Sequence, residues 1–168
     1  LIIRGDLSSL RKWIGCIPAG MIEQDPWLIF FQTMTQRIQG GKKNIKRFST
    51  ALSGFEKAKD IRGILLCVGY LIEAAVFVRQ PSTTILNWVE KGETLLLQLR
   101  QDEYYPWARA LLCQHIGLGY IAGTGDLARG ISACRNAMIM ARQIDTPDIV
   151  VNALIIMTFG HVQSGDFS

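Results

Sequence analysis

Gly125-Asp126-Leu127-Ala128-Arg129-Gly130 is the stretch on which the reading of this chain turns, because its opening pair recurs. Gly-Asp also stands at Gly5-Asp6 and Gly165-Asp166, which lie 120 residues before it and 40 after it. About forty residues is the length of one helical hairpin in many repeat architectures. A glycine just past a helix takes the left-handed conformation that ends it, and an aspartate behind it can cap the next helix at once, so Gly-Asp reads as a tight helix-to-helix turn. The prolines keep the same interval, with Pro26, Pro106 and Pro147 spaced by 80 and 41 residues. Proline suits the first helical turn, where its missing N–H would be unpaired anyway, and Asp25 and Thr146 stand where a side-chain oxygen caps the new helix.

Between these marks the pattern predicts helices at about 6–17, 25–39, 42–59, 61–79, 82–101, 106–122, 126–144 and 147–163. They fall into units at about 1–24, 25–60, 61–104, 105–145 and 146–168, a single helical-repeat domain expected to be cut at both ends. The first helix of each pair is apolar nearly all round, as in Trp27-Leu28-Ile29-Phe30-Phe31, Ile64-Leu65-Leu66-Cys67-Val68 and Val150–Met157, and has to be covered on several sides. The second is amphipathic, with Ile131, Cys134, Ala137 and Met138 opposite Arg129, Arg135 and Arg142. Where the third unit lacks Gly-Asp it has Gln80-Pro81-Ser82, in which Pro81 breaks one helix and Ser82 is placed to cap the next. The fold class predicted is all-α: an α-α superhelix, or solenoid, of antiparallel helix pairs with about 40 residues per repeat.

Composition agrees with a packed interior. Of 168 residues, 49% are hydrophobic and 19% charged, which excludes a disordered tail. The net charge of +4 is too small to demand nucleic acid. Seven bases do gather between Lys42 and Arg62 against Glu56 and Asp60, but Ile45, Phe48, Leu52 and Phe55 run through them at helical spacing, the pattern of a solvated helix face. Cys16, Cys67, Cys113 and Cys134 form no C-x-x-C pair and sit among apolar neighbours, as expected of a cytoplasmic protein. The run Ile64–Val78 contains Glu73 and falls short of the roughly 20 residues a bilayer span needs.

The stretches Gly5–Ile14, Ile17-Pro18, Gln24-Asp25-Pro26-Trp27-Leu28 and Gly125–Gly130 together resemble the tetratricopeptide-like repeat region of MalT-like members of the LuxR family of transcriptional regulators. The resemblance implies a right-handed superhelix placed between a nucleotide-switch ATPase and a DNA-binding domain. Its role there is to receive a protein or small-molecule effector and to control self-association, with no catalysis, no cofactor, no membrane and no direct nucleic-acid contact by this region. Neither a G-x-x-x-x-G-K-[ST] loop nor a DNA-reading helix-turn-helix is found in these residues. A stand-alone tetratricopeptide-like adaptor that takes a peptide or partner helix in its groove is the alternative.

In the geometry of that family the inner helices line a concave groove, which nominates Phe31, Thr35, Tyr70, His115, Asn152 and Phe159 as ligand- or partner-binding residues. Glu73 joins them either as a polar anchor in the groove or as a carboxylate paired with a base on a neighbouring helix. His115 and His161 have no further ligands at metal-binding spacing. Gly117-Leu118-Gly119-Tyr120-Ile121-Ala122 matches a dinucleotide fingerprint only formally, since no strand precedes it; its glycines are expected where helices approach closely. Terminal helices left with open apolar faces predict a tendency to self-associate, giving a homo-oligomer.

Overall fold

The computed structural model describes residues 7–37, 39–99 and 105–165, and these are helical with connecting turns and no strand. The chain is all-α. It divides into two compact units, Leu1–Cys67 and Val68–Ser168, with the division inside a helix.

In the N-terminal unit, α1 (Leu7–Gly15), a short α2 (Ala19–Ile22), α3 (Pro26–Thr35) and α4 (Lys42–Ala58) precede the start of α5 (Ile61–Phe77). Asp25 caps α3 as its sequence position predicts, its Oδ1 accepting from the amides of Trp27 at 2.7 Å and Leu28 at 3.0 Å. α3 and α4 run antiparallel: Pro26 lies against Gly54 and Trp27 against Phe55 at one end, while Asn44 donates to the carbonyls of Gln36 and Arg37 at the other. Between them Phe30, Phe48 and Phe55 are almost fully buried, and Trp27 meets the rings of Phe30 and Phe55 edge-on. α1 and α2 close the other side of α3 through Leu10, Ile14 and Ile22, with Leu28 and Phe31 against them. The basic stretch behaves as a solvated face, for Lys42, Lys43, Lys46, Lys57 and Lys59 are exposed while Phe48, Leu52 and Phe55 are buried.

The turn from α4 to α5 contains no glycine. Lys59 takes the left-handed conformation (φ 54°, ψ 32°), and the amide of Asp60 closes α4 on the carbonyl of Phe55 at 2.9 Å. The Asp60 carboxylate then does two things at once. Its Oδ1 accepts from the amide of Gly63 at 3.0 Å, capping α5, and its Oδ2 accepts from the Trp27 indole at 2.8 Å. That pairing ties the start of α3 to the start of α5, and the Arg62 guanidinium lies 4.9 Å from the Trp27 ring.

α5 answers the expectation of a helix covered on several sides, since every residue from Gly63 to Ala75 is buried. The C-terminal unit continues with α6 (Ser82–Gln98), α7 (Pro106–Leu118), a π-helical segment (Gly119–Thr124), α8 (Leu127–Gln143) and α9 (Pro147–Ser164). Gly119 has no side chain where Val89 and Ile85 of α6 and Ile72 of α5 converge. α7 and α8 run antiparallel and touch closest at Gly117 and Gly130, where a β-carbon on either glycine would lie 3.1 Å from the other's carbonyl oxygen. α8 buries Gly130, Cys134, Ala137 and Ala141 along one stripe of small residues. Leu127 at its start packs near Gly160, late in α9, so α9 reverses direction again.

Two expected caps are replaced by other bonds. The Ser82 hydroxyl donates to the carbonyl of Gly123 at 2.8 Å and pins the start of α6 to the end of the π segment. The Thr146 hydroxyl, buried beside left-handed Asp145, donates back to the carbonyl of Ala141 at 3.2 Å and closes α8 instead of opening α9. Asp126 does cap α8, its Oδ1 accepting from the amide of Arg129 at 3.0 Å. The π segment is a further departure from the regular helix predicted to residue 122, and the Thr124 hydroxyl donates to the carbonyl of Tyr120 within it.

Candidate functional site

The sequence-nominated residues fall into three places. Phe31 and Thr35 lie on α3 in the N-terminal unit. Phe31 is half-buried against Trp27 and the α1–α2 cluster, and the Thr35 hydroxyl donates to the carbonyl of Gln32 at 2.7 Å while its own carbonyl accepts from Arg11 at 2.7 Å. Both brace α1 against α3.

Tyr70, Glu73 and His115 are brought together inside the C-terminal unit. Tyr70 and Glu73, three residues apart, share one face of α5, and His115 meets both from α7. The Tyr70 and His115 rings are 5.0 Å apart, and the His115 Nε2 lies 3.7 Å from the Glu73 Oε1. None lines an open groove: Tyr70 is 3% exposed, Glu73 8% and His115 1%. Gly69 makes the room, for a β-carbon there would sit 2.9 Å from the His115 Nδ1. Among the described residues that Nδ1 and the buried Gln114 Oε1 have no hydrogen-bond partner. An imidazole thus faces Glu73, and the contact joins α5 to α7 through polar groups within an apolar surround.

Asn152 and Phe159 lie on α9 and are exposed. With them Val151, Leu154, Ile155 and Val162 face outward, between 46% and 60% exposed, while Ile149, Ala153, Ile156 and Gly160 on the opposite side are buried against the rest of the unit. At about 100° per residue the two sets point in opposite directions. α9 is therefore apolar on two faces, and only one is covered among the described residues.

A cluster that sequence reasoning missed surrounds the π segment. The Tyr120 hydroxyl donates to the Glu93 Oε1 at 2.8 Å, Arg129 reaches the other Glu93 oxygen at 3.4 Å, and its guanidinium lies 4.2 Å from the Tyr120 ring. Burial, and then the bond to Glu93, push the Tyr120 phenol above its ordinary range. The glycines flanking Tyr120 were the only signal of this site in the sequence. Beside it a cleft of about 400 Å³ is lined by Ile121, Gly125, Leu127, Gly160, Gln163 and Ser164.

Burial also raises three thiols: Cys67 furthest, with Asp60 and Glu56 adding to the effect, Cys134 to about 12 and Cys113 to about 11. Thiols held protonated in this way are poor nucleophiles. Cys16 is exposed. Among the described residues no three side chains of metal-ligating type converge, and no helix is long and apolar enough to cross a membrane.

No protein-family profile, curated protein or solved structure matches the chain.

Proposed function

We propose that this chain is a non-catalytic sensor and protein-interaction region built of tetratricopeptide-like helix pairs, of the kind found in MalT-like LuxR-family regulators. It binds an effector or regulatory partner and couples that binding to self-association. One observation carries the reading. Gly125 and Gly165, 40 residues apart, end their helices in the same left-handed geometry, φ 78° and ψ 9° against φ 73° and ψ 12°. Each is followed in the sequence by an aspartate, and α7, α8 and α9 alternate in direction around the first of these turns. Repetition of turn chemistry and backbone angles at one interval supports a reading as stacked hairpins, and such stacks bind partners across their surfaces.

Recovery of the complete reading frame tests the regulator reading. A phosphate-binding loop upstream and a helix-turn-helix downstream are expected, and a frame lacking both removes it. Effector binding is tested by thermal shift against a metabolite panel, since a ligand at 100 times its Kd stabilises by roughly 2.7 kcal/mol. Silence across the panel, with a defined peptide retained by the purified chain, would favour the stand-alone adaptor.

A further inference from the structure

The two glycines at which α7 and α8 touch also fix which residues face each other along the rest of that antiparallel pair. Cys113 stands four residues before Gly117 and Cys134 four residues after Gly130, so one turn away from the glycine contact the two cysteines lie opposite each other. Ala110 and Ala137, both fully buried, continue the same register a further turn along. Small residues at each of these steps keep the two backbones close. The Cys134 sulfur occupies the place that a Gly117 side chain would take, as expected of a helical side chain that leans toward the start of its own helix. Gly117 and Cys113 are neighbours on one face of α7, with about 5–6 Å between such positions. A second observation agrees with the register: the nearness of Cys113 adds to the burial that raises the Cys134 thiol. Both cysteines are buried free thiols.

We propose that Cys113 and Cys134 form a redox-modification site, a dithiol that exchanges with a low-molecular-weight disulfide such as oxidised glutathione and closes into a disulfide joining α7 to α8. The inference rests on this helix pair alone and stands or falls separately from the effector-binding reading. In the first step the Cys113 thiolate attacks one sulfur of the glutathione disulfide, whose S–S bond breaks and releases one glutathione. The Cys134 thiolate then attacks the Cys113 sulfur of the mixed disulfide and releases the second. The two thiol protons of the protein end on the two glutathiones, and the two electrons the protein gives up reduce the glutathione disulfide. Burial sets the rate of this exchange. Thiols held protonated in the fold wait for α8 to part from α7 before they react, and when the helices close again the new bond is shielded from reductant. The link spans 21 residues of chain, and a loop of that size corresponds to a rise in Tm of roughly 6–12 °C.

Thiol mapping on a Cys16→Ser chain tests this, because Cys16 is exposed and reacts on its own account. The chain is unfolded in urea, refolded in a glutathione redox buffer so that access to the interior does not limit exchange, quenched with an alkylating agent and digested with trypsin. Cys113 falls in peptide 110–129, Cys134 in peptide 130–135 and Cys67 in peptide 63–79. The first two peptides should be recovered joined by a disulfide and the third alkylated. The joined chain should melt roughly 6–12 °C above the same chain after reduction. Cys113→Ala and Cys134→Ala, which keep the helix contact small, should each melt at one temperature in oxidising and reducing buffer alike. Recovery of both thiols alkylated after refolding, a disulfide to Cys67 in place of the link between Cys113 and Cys134, or a joined chain that melts no higher than its reduced form would each overturn the proposal.

Discussion

Replacing Gly117 by alanine tests a close helix contact in the C-terminal unit. The new β-carbon would lie 2.4 Å from the Cys134 Sγ, 3.1 Å from the Gly130 carbonyl oxygen and 3.3 Å from the Cys134 amide. The sulfur belongs to a fully buried side chain, and the other two atoms are backbone, so relief requires α8 to move away from α7. Overpacking of this kind costs about 1–3 kcal/mol. Alanine's better helix propensity offsets roughly 1 kcal/mol of that, leaving a net loss of up to about 2 kcal/mol. Gly15 supplies the control, because a β-carbon there meets nothing within 4 Å and alanine should gain up to about 1 kcal/mol. In a chain of this size 1 kcal/mol moves Tm by roughly 2–4 °C, so a full loss at Gly117 and a full gain at Gly15 together separate the two melts by about 6–12 °C. Thermal melts followed by circular dichroism suffice. A Gly117→Ala chain that melts with or above Gly15→Ala would refute the close approach of α7 and α8.

The buried pair on α5 and α7 should behave as a unit. Glu73→Leu removes the carboxylate that the buried His115 imidazole faces and should cost about 2–3 kcal/mol, while Glu73→Leu with His115→Leu should lose less than the two single variants summed. Additive losses in urea unfolding would show that the two side chains do not interact. The raised thiols give a pH dependence with a defined sign. Cys113 and Cys134 stay protonated in the fold while the unfolded chain ionises near their ordinary value of 9.0. The unfolded state therefore sheds protons first, and stability falls as pH rises from there until about 11 for Cys113 and about 12 for Cys134. Each thiol contributes a slope of up to ~1.4 kcal/mol per pH unit, so Cys113→Ala should flatten the decline of the urea midpoint between pH 8 and about 11. An equal decline in that variant would discount the thiol.

Helices were legible in the sequence because apolar spacing and end chemistry are local properties. Asp25-Pro26 and Asp126 open helices where their side chains predict, and the continuous apolar run of α5 is buried all round. Less visible were turns in which Lys59, Arg79 and Asp145 adopt positive φ without glycine. Such residues are held there by the hydrogen bonds that follow them, as the amide of Asp60 is held on Phe55, and those bonds exist only once both helices do. α2 was missed because four residues after a proline carry too little periodicity to register. At the candidate site, helical spacing put Tyr70 and Glu73 on one face and singled out His115, but their convergence depends on how α7 docks. The Tyr120–Glu93–Arg129 cluster lay further out of reach, because its members come from three separate segments joined across 27 and 36 residues.

The π-helical segment widens the last turn before Gly125. From Pro106 to Gly125 is one step longer than from Pro147 to Gly165, yet both glycines end their helices with nearly the same angles. A widened turn absorbs a single surplus residue without rotating what comes after it. The widened turn lies around Tyr120, whose ring fills the interior and whose hydroxyl reaches Glu93. The wide turn thereby sets an inward-facing aromatic ring one turn ahead of the left-handed glycine at which the helix ends.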